Sequence, residues 1–245
     1  MRHRIICAVF AAMLASVTTA YAEPASGPRE DLNQTFTTTK PNTATGLDFT
    51  ARYHAAGDPN GNPPFLKRMV FHAPDGFRYD TSVPDQCTAP DALLEVEGPA
   101  ACPPGSLIGK GTTEGIFFYP FTDTVFDHFH HNLYILNNAN EQIILVESEG
   151  FTVQRGKMSP DGSTEFVTTT CFPAPPAGAP CADDYIMQLA TSTSIDAITK
   201  GNSAYAKTPQ HCPKSGYWES TIHYEWADGN VDDVVSRQPC SPSGA

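Results

Sequence analysis

The chain is short of positive charge. It holds 15 Lys and Arg against 27 Asp and Glu, a formal net charge of −12. Such a surface repels phosphate backbones and anionic lipid, so nucleic-acid binding and electrostatic docking on membranes are disfavoured. Past the first 20 residues no apolar run approaches the 20 or so residues that a membrane-spanning helix needs. There is no C-x-x-C pair, which argues against a structural zinc site. There is no G-x-S-x-G elbow, no P-loop and no dinucleotide fingerprint. No cofactor is therefore called for. Apolar residues at helical spacing are almost absent, which argues against an α-rich fold.

What is present begins at the N-terminus. Arg2, His3 and Arg4 precede an uncharged apolar stretch from Ile5 to Val17, and Ala20-Tyr21-Ala22 supplies small residues at the two positions read by a signal peptidase. This is the pattern of a secretory signal peptide, residues 1–22, cut after Ala22. The remaining 223 residues lose Arg2 and Arg4, leaving 13 basic residues against 27 acidic, a charge of −14. Cys7 departs with the signal.

Six cysteines remain: Cys87, Cys102, Cys171, Cys181, Cys212 and Cys240. An even count in an exported chain reads as a disulfide framework, formed in an oxidising compartment. Nearest-neighbour pairing is expected: Cys87–Cys102, Cys171–Cys181 and Cys212–Cys240. Each pair brackets a Pro- or Gly-rich segment or a hairpin, so the ends can meet without threading the core.

Residues 23–45 are rich in Pro, Thr, Ser, Asn and Gln, with Leu32 and Phe36 the only large aliphatic or phenyl side chains. They read as a flexible leader, with Thr35 to Thr39 available as an edge strand. Residues 46–245 read as a single domain. Leu47, Phe49, Ala51 and Tyr53 alternate with polar residues, as a half-buried strand does. Phe65 to His72 is a further strand, and Pro90 to Leu94 the best short helix. Gly109 and Gly111 mark a bend, a bulge or a close backbone approach. Leu133 to Leu136 and Ile143 to Val146 flank a polar tip and are apolar on both faces, which places that hairpin centrally.

A second hairpin turns at Ser159 to Ser163. The last is the cleanest: Trp218, Ser220, Ile222, Tyr224 and Trp226 alternate with Tyr217, Glu219, Thr221, His223 and Glu225 before a turn at Asp228-Gly229. Short strands with turn signals between them predict an all-β fold. The expected form is an antiparallel β-sandwich with at most one short helix, stapled by three disulfides.

The segment from Cys87 through Ala101-Cys102-Pro103-Pro104-Gly105-Ser106-Leu107-Ile108-Gly109-Lys110-Gly111, and His211-Cys212-Pro213-Lys214-Ser215-Gly216-Tyr217-Trp218 followed by Tyr224, Asp228-Gly229 and Cys240, resemble a broad group of exported proteins of actinobacteria. The resemblance implies export and paired cysteines. It implies no reaction, and no site residue follows from it.

Four clusters merit testing as chemistry. In Asp127-His128-Phe129-His130-His131, His128 and His130 would share one face of a strand, about 6.5–7 Å apart. Two imidazoles so placed are candidate metal ligands, with His54, His72, His223 or Asp127 as a third. A wet strand face is the plainer reading. Glu147 and Glu149, two residues apart, are candidate acid/base partners for glycoside chemistry, or else two solvated acids. Asp58, Asn60 and Asn62 are spaced as in calcium loops, but the twelfth position is Met69, so a plain turn is favoured. Phe117, Phe118, Tyr119, Phe121, Phe126 and Phe129 would stack on sugars if exposed, and otherwise form core.

The expectation is a secreted, extracellular, non-catalytic β-sandwich that binds a partner of the cell envelope or medium or serves a structural role. The alternative is a metal-dependent or carboxylate-based hydrolase acting on an extracellular substrate.

Overall fold

Alternation of buried and more exposed side chains runs along several strands, most clearly at Tyr217–Trp226 and Val231–Pro239. The structure, a computed structural model, describes residues 25–119, 124–159, 161–167 and 186–241, with backbone alone at 117–119, 124–127 and 186. In chain order the elements begin with β1 (Ala25–Ser26), β2 (Glu30–Phe36), β3 (Leu47–Tyr53), β4 (Leu66–His72) and β5 (Arg78–Tyr79). A helix α1 (Asp91–Glu97) follows, then 3-10 turns at Gly98–Ala101 and Pro104–Ser106. The chain returns to strand with β6 (Leu107–Tyr119), β7 (Thr124–Asn138), β8 (Glu141–Glu147), β9 (Phe151–Met158) and β10 (Ser163–Val167). Next come β11 (Ile186–Ile195), β12 (Thr199–Lys200), β13 (Ser203–Ala204), β14 (Ala206–Lys207), β15 (Tyr217–Trp226) and β16 (Val231–Pro239).

Twelve of these strands form one antiparallel sheet in the order β1-β2-β3-β11-β6-β7-β8-β9-β10-β4-β15-β16. The expected sandwich is thereby corrected: this is a nearly closed, barrel-like sheet. One apolar cluster joins Leu32 and Tyr53, from β2 and β3, to Leu66, Tyr224, Trp226 and Val234, from β4, β15 and β16. Strands from opposite ends of the order share a core only if the sheet curls until its ends meet, which the cumulative twist of so many strands favours. A second cluster, Phe77, Ile108, Ile135, Ile195, Tyr205 and Ala206, involves the short strands β5 and β14 and their flanks.

The central hairpin behaves as its composition demands. In the β7–β8 register Leu136 faces Ile143 and Tyr134 faces Leu145. These residues pack with Leu94 of α1 and with Cys87 and Cys102, whereas the alternate residue Ile135 belongs to the second cluster. A strand pair buried on both faces thus lies between the barrel interior and the helix. Arg155 fastens α1 by donating to Asp91 and Glu141, both at 2.6 Å. At Gly111 a Cβ would overlap the Ser192 carbonyl, which accounts for glycine there as a close approach.

The segment expected as a leader is corrected in part. Its residues 30–36 form β2, paired with β3 along its whole length. Glu30, Leu32 and Gln34 are buried while Asp31 and Asn33 are exposed, so the same period-2 rule operates with polar side chains at the inward positions.

Cys87–Cys102 and Cys212–Cys240 are bonded as expected, with Cα atoms 5.0 and 5.5 Å apart. The expected Cys171–Cys181 pair lies outside the described residues, as do the expected signal segment, residues 120–123 and the side chains of the aromatic run at 117–126. Among the described residues no helix is long and apolar enough to cross a membrane. On β15 the apolar residues point inward while Glu219, Thr221, His223 and Glu225 point out.

Candidate functional site

The two ends of the sheet face each other across a seam between β2 and β16. The strands lie in contact there, yet among the described residues no backbone ladder joins them. Side chains do. The Arg29 guanidinium binds both oxygens of Asp232, at 3.1 and 2.9 Å. Gln34 Nε2 donates to Ser220 Oγ at 3.2 Å, and the Phe36 N–H donates to Gln238 Oε1 at 3.3 Å. Gln238 offers from its side chain the acceptor that a neighbouring strand would offer from its backbone. The nearest backbone link is Ser241 N–H to the Thr39 carbonyl, at 2.8 Å.

Beside Asp232 sits a second carboxyl, Glu30. Glu30 is 0% exposed and Asp232 6%. Asp232, besides its contact with Arg29, accepts from the indole N–H of Trp226 at 2.9 Å. Glu30 Oε2 accepts the Arg29 backbone N–H at 3.3 Å, the Trp226 indole also favours its charged form, and its Oε1 receives no donor. Burial first, then the neighbouring Asp232 charge, push its pKa from 4.5 up to about 7. The rings of Tyr53, Tyr224 and Trp226 wall the same region, with centroids 5.9 Å apart. Burial holds the Tyr53 and Tyr224 phenols far above their usual range.

Perturbed acid pairs of this kind occur in active sites. Here both acids are sealed from solvent, so the pair as it stands has no route to substrate. What it does in the static structure is neutralise Arg29 and close the barrel.

The residues singled out in the sequence lie elsewhere, on the outer face. His128 and His130 are exposed, on β7. His130 Nδ1 is 3.2 Å from Glu114 Oε1. His54 instead bonds the Ala55 carbonyl at 2.9 Å. His72 lies on β4 and His223 on β15, with β8, β9 and β10 between β4 and β7 in the sheet. His223 is held by Asp233 at 2.7 Å and Glu225 at 3.5 Å. Among the described residues no three His, Cys, Asp or Glu side chains gather as a metal would require.

Glu147 closes β8, and Glu149 falls in the bend beyond it, so the two do not share a strand face. Glu147 accepts from Asn132 Nδ2 and the Tyr134 hydroxyl, each at 2.9 Å, and these bonds lower its pKa. Asp58 Oδ1 accepts from the Asn60 N–H at 3.0 Å, which makes an ordinary Asx turn of the suspected calcium loop.

Sequence reasoning missed Glu30 and Asp232. One signal was there: Glu30, Leu32, Gln34 and Phe36 form a period-2 set. On β16 hydropathy points the wrong way, because Val231 and Val235 are 54% and 45% exposed while Asp232, Ser236 and Gln238 face inward.

Comparisons with protein-family models, with curated proteins and with solved structures found no match.

Proposed function

We propose that the chain is an exported, non-catalytic barrel that serves as a binding or structural module of the cell envelope or extracellular space. The observation that carries this reading is the fate of its chemistry-bearing groups. Among the described residues the carboxyl most strongly perturbed upward, Glu30, is sealed inside beside the Arg29–Asp232 ion pair of the seam. Several of its outward charged groups are used in pairs, as in His130–Glu114, His223–Asp233 and Arg237–Glu219. Paired surface charges solubilise a barrel and set no reacting atoms around a substrate. Two disulfides support an oxidising location. The resemblance to exported actinobacterial proteins points the same way.

The alternative, a carboxylate-based hydrolase, draws on Glu147, whose carboxylate is oriented by Asn132 and Tyr134. One experiment separates the two. The purified chain is incubated with insoluble cell-wall material, and both sedimentation and release of soluble fragments are followed. Saturable co-sedimentation without fragment release supports the binding module. Fragment release that disappears in Glu147→Gln overturns it in favour of the hydrolase, and failure to co-sediment overturns the wall-binding role.

A further inference from the structure

The seam is a mechanical oddity. Among the described residues, the hydrogen bonds that join β2 and the adjoining Arg29 to β15 and β16 run through side chains, Arg29–Asp232, Gln34–Ser220 and Phe36–Gln238, alongside the packing of Leu32 against Tyr224, Trp226 and Val234. Links of this kind part by rotamer changes, with no ladder to unzip. The short β1 pairs with β2 and also lies against β16, so β1 and β2 form a flap at the sheet's edge.

Glu30 sits at the centre of that flap's contact. From its own strand it faces Arg29, whose guanidinium is committed to Asp232. From β16 it meets Asp232, and from β15 Trp226. Tyr53 of β3 and Tyr224 of β15 feel its charge. From the β15–β16 turn, Asp228 lies 3.9 Å from Arg29, a second acid drawing on the one cation. With a proton on Glu30, the buried group of Arg29, Asp232 and Glu30 is neutral, and the acid can donate to Asp232. Without that proton the seam encloses an unpaired negative charge whose Oε1 receives no donor.

We propose that the β2–β16 seam is a proton-operated latch. It stays shut while Glu30 holds a proton, and loss of that proton beside Asp232 frees the β1–β2 flap from β16. The raised pKa of Glu30, about 7, sets the release near neutral pH. Because the closed form holds the proton more tightly than the open one, acid favours closure and rising pH favours opening.

The test is hydrogen exchange by NMR from pH 4 to 9, corrected for intrinsic rates. The Phe36 amide and the Trp226 indole N–H report on the seam. The Trp218 indole, bonded to the His211 carbonyl, is the control. Protection at Phe36 and Trp226 is expected to fall by up to about tenfold per pH unit between the ordinary glutamate pKa and about 7, then level off, and to stay below that at Trp218 at every pH in that range. Glu30→Gln, which mimics the protonated acid, is expected to abolish the fall. Flat profiles in the native chain, the same slope in Glu30→Gln, or seam protection equal to that of Trp218 across the range would each overturn the latch. A carboxyl carbon-13 titration guards against misfolding of the variant. If Glu30 titrates as an ordinary glutamate while the seam remains protected, the latch is wrong.

Discussion

Arg29 and Asp232 stand 203 residues apart in the chain, and the contact of Arg29 Nη1 with both Asp232 oxygens spans the seam between the ends of the sheet. One guanidinium nitrogen, Nη1, reaches both carboxylate oxygens, and the Trp226 indole N–H adds a third hydrogen bond. Around them Glu30 is the group left short of donors.

Global stability is expected to depend on pH through Glu30. Its folded pKa, about 7, lies above the ordinary 4.5, so the native state holds a proton that the unfolded chain releases. The stabilisation is therefore full below pH 4.5, declines as pH rises to about 7, and is lost above that. Its upper size is about 3 kcal/mol, from about 1.4 kcal/mol per pKa unit. Urea unfolding of the native chain and of Glu30→Gln across pH 4 to 9 checks this. The difference between the two should grow with pH in favour of the variant and then level off.

Asp232→Ala removes the anion and leaves the Arg29 cation and the Trp226 N–H without their acceptor. A loss of about 3–5 kcal/mol is expected, as for other broken buried pairs. Equilibrium denaturation measures it. A loss under 1 kcal/mol would mean that Arg29 finds another partner, with Asp228 at 3.9 Å the nearest candidate.

The two bridges should act separately. Cys87–Cys102 closes a loop of sequence separation 15 that contains α1, and Cys212–Cys240 closes one of 28 that contains the β15–β16 hairpin. Each is expected to contribute about 2–4 kcal/mol. Paired Cys→Ala variants in thermal unfolding would show this. Loss of the second pair should also raise exchange at the seam, since β16 ends at its anchor.

Gly98 ends α1 with φ at +59°, and a Cβ there would overlap the Phe151 ring. Gly98→Ala is expected to cost about 1–3 kcal/mol through backbone strain and displacement of that ring. Denaturation midpoints, with proteolysis between Asp91 and Ala101 as a local readout, would check it.

Much of the local structure was legible because it follows from period and turn chemistry. The alternation of Trp218 to Trp226, the doubly apolar Leu133–Leu136 and Ile143–Val146 arms, and the turn at Asp228-Gly229 all appear where the residues place them. The leader was misread because a strand rich in Thr, Asn and Gln looks like a linker until its inward polar groups are given partners. Asp232 was overlooked for the same reason. Neither partner of its ion pair lies within 200 residues of the other, so no local pattern reports it. The histidines of β7 looked like ligands because spacing along one strand is visible in a sequence, whereas the position of a third donor is not.

Residue order by itself determined strand-forming segments, two of the cysteine pairings and the balance of surface charge, because each depends on neighbours in the chain or on simple counting. Only tertiary structure decided that twelve strands curl into one barrel rather than stack as two sheets, and that Glu30 meets Asp232 at its seam. Closure depends on accumulated twist and on contacts between the two ends of the chain, and those quantities exist only once the whole sheet has formed.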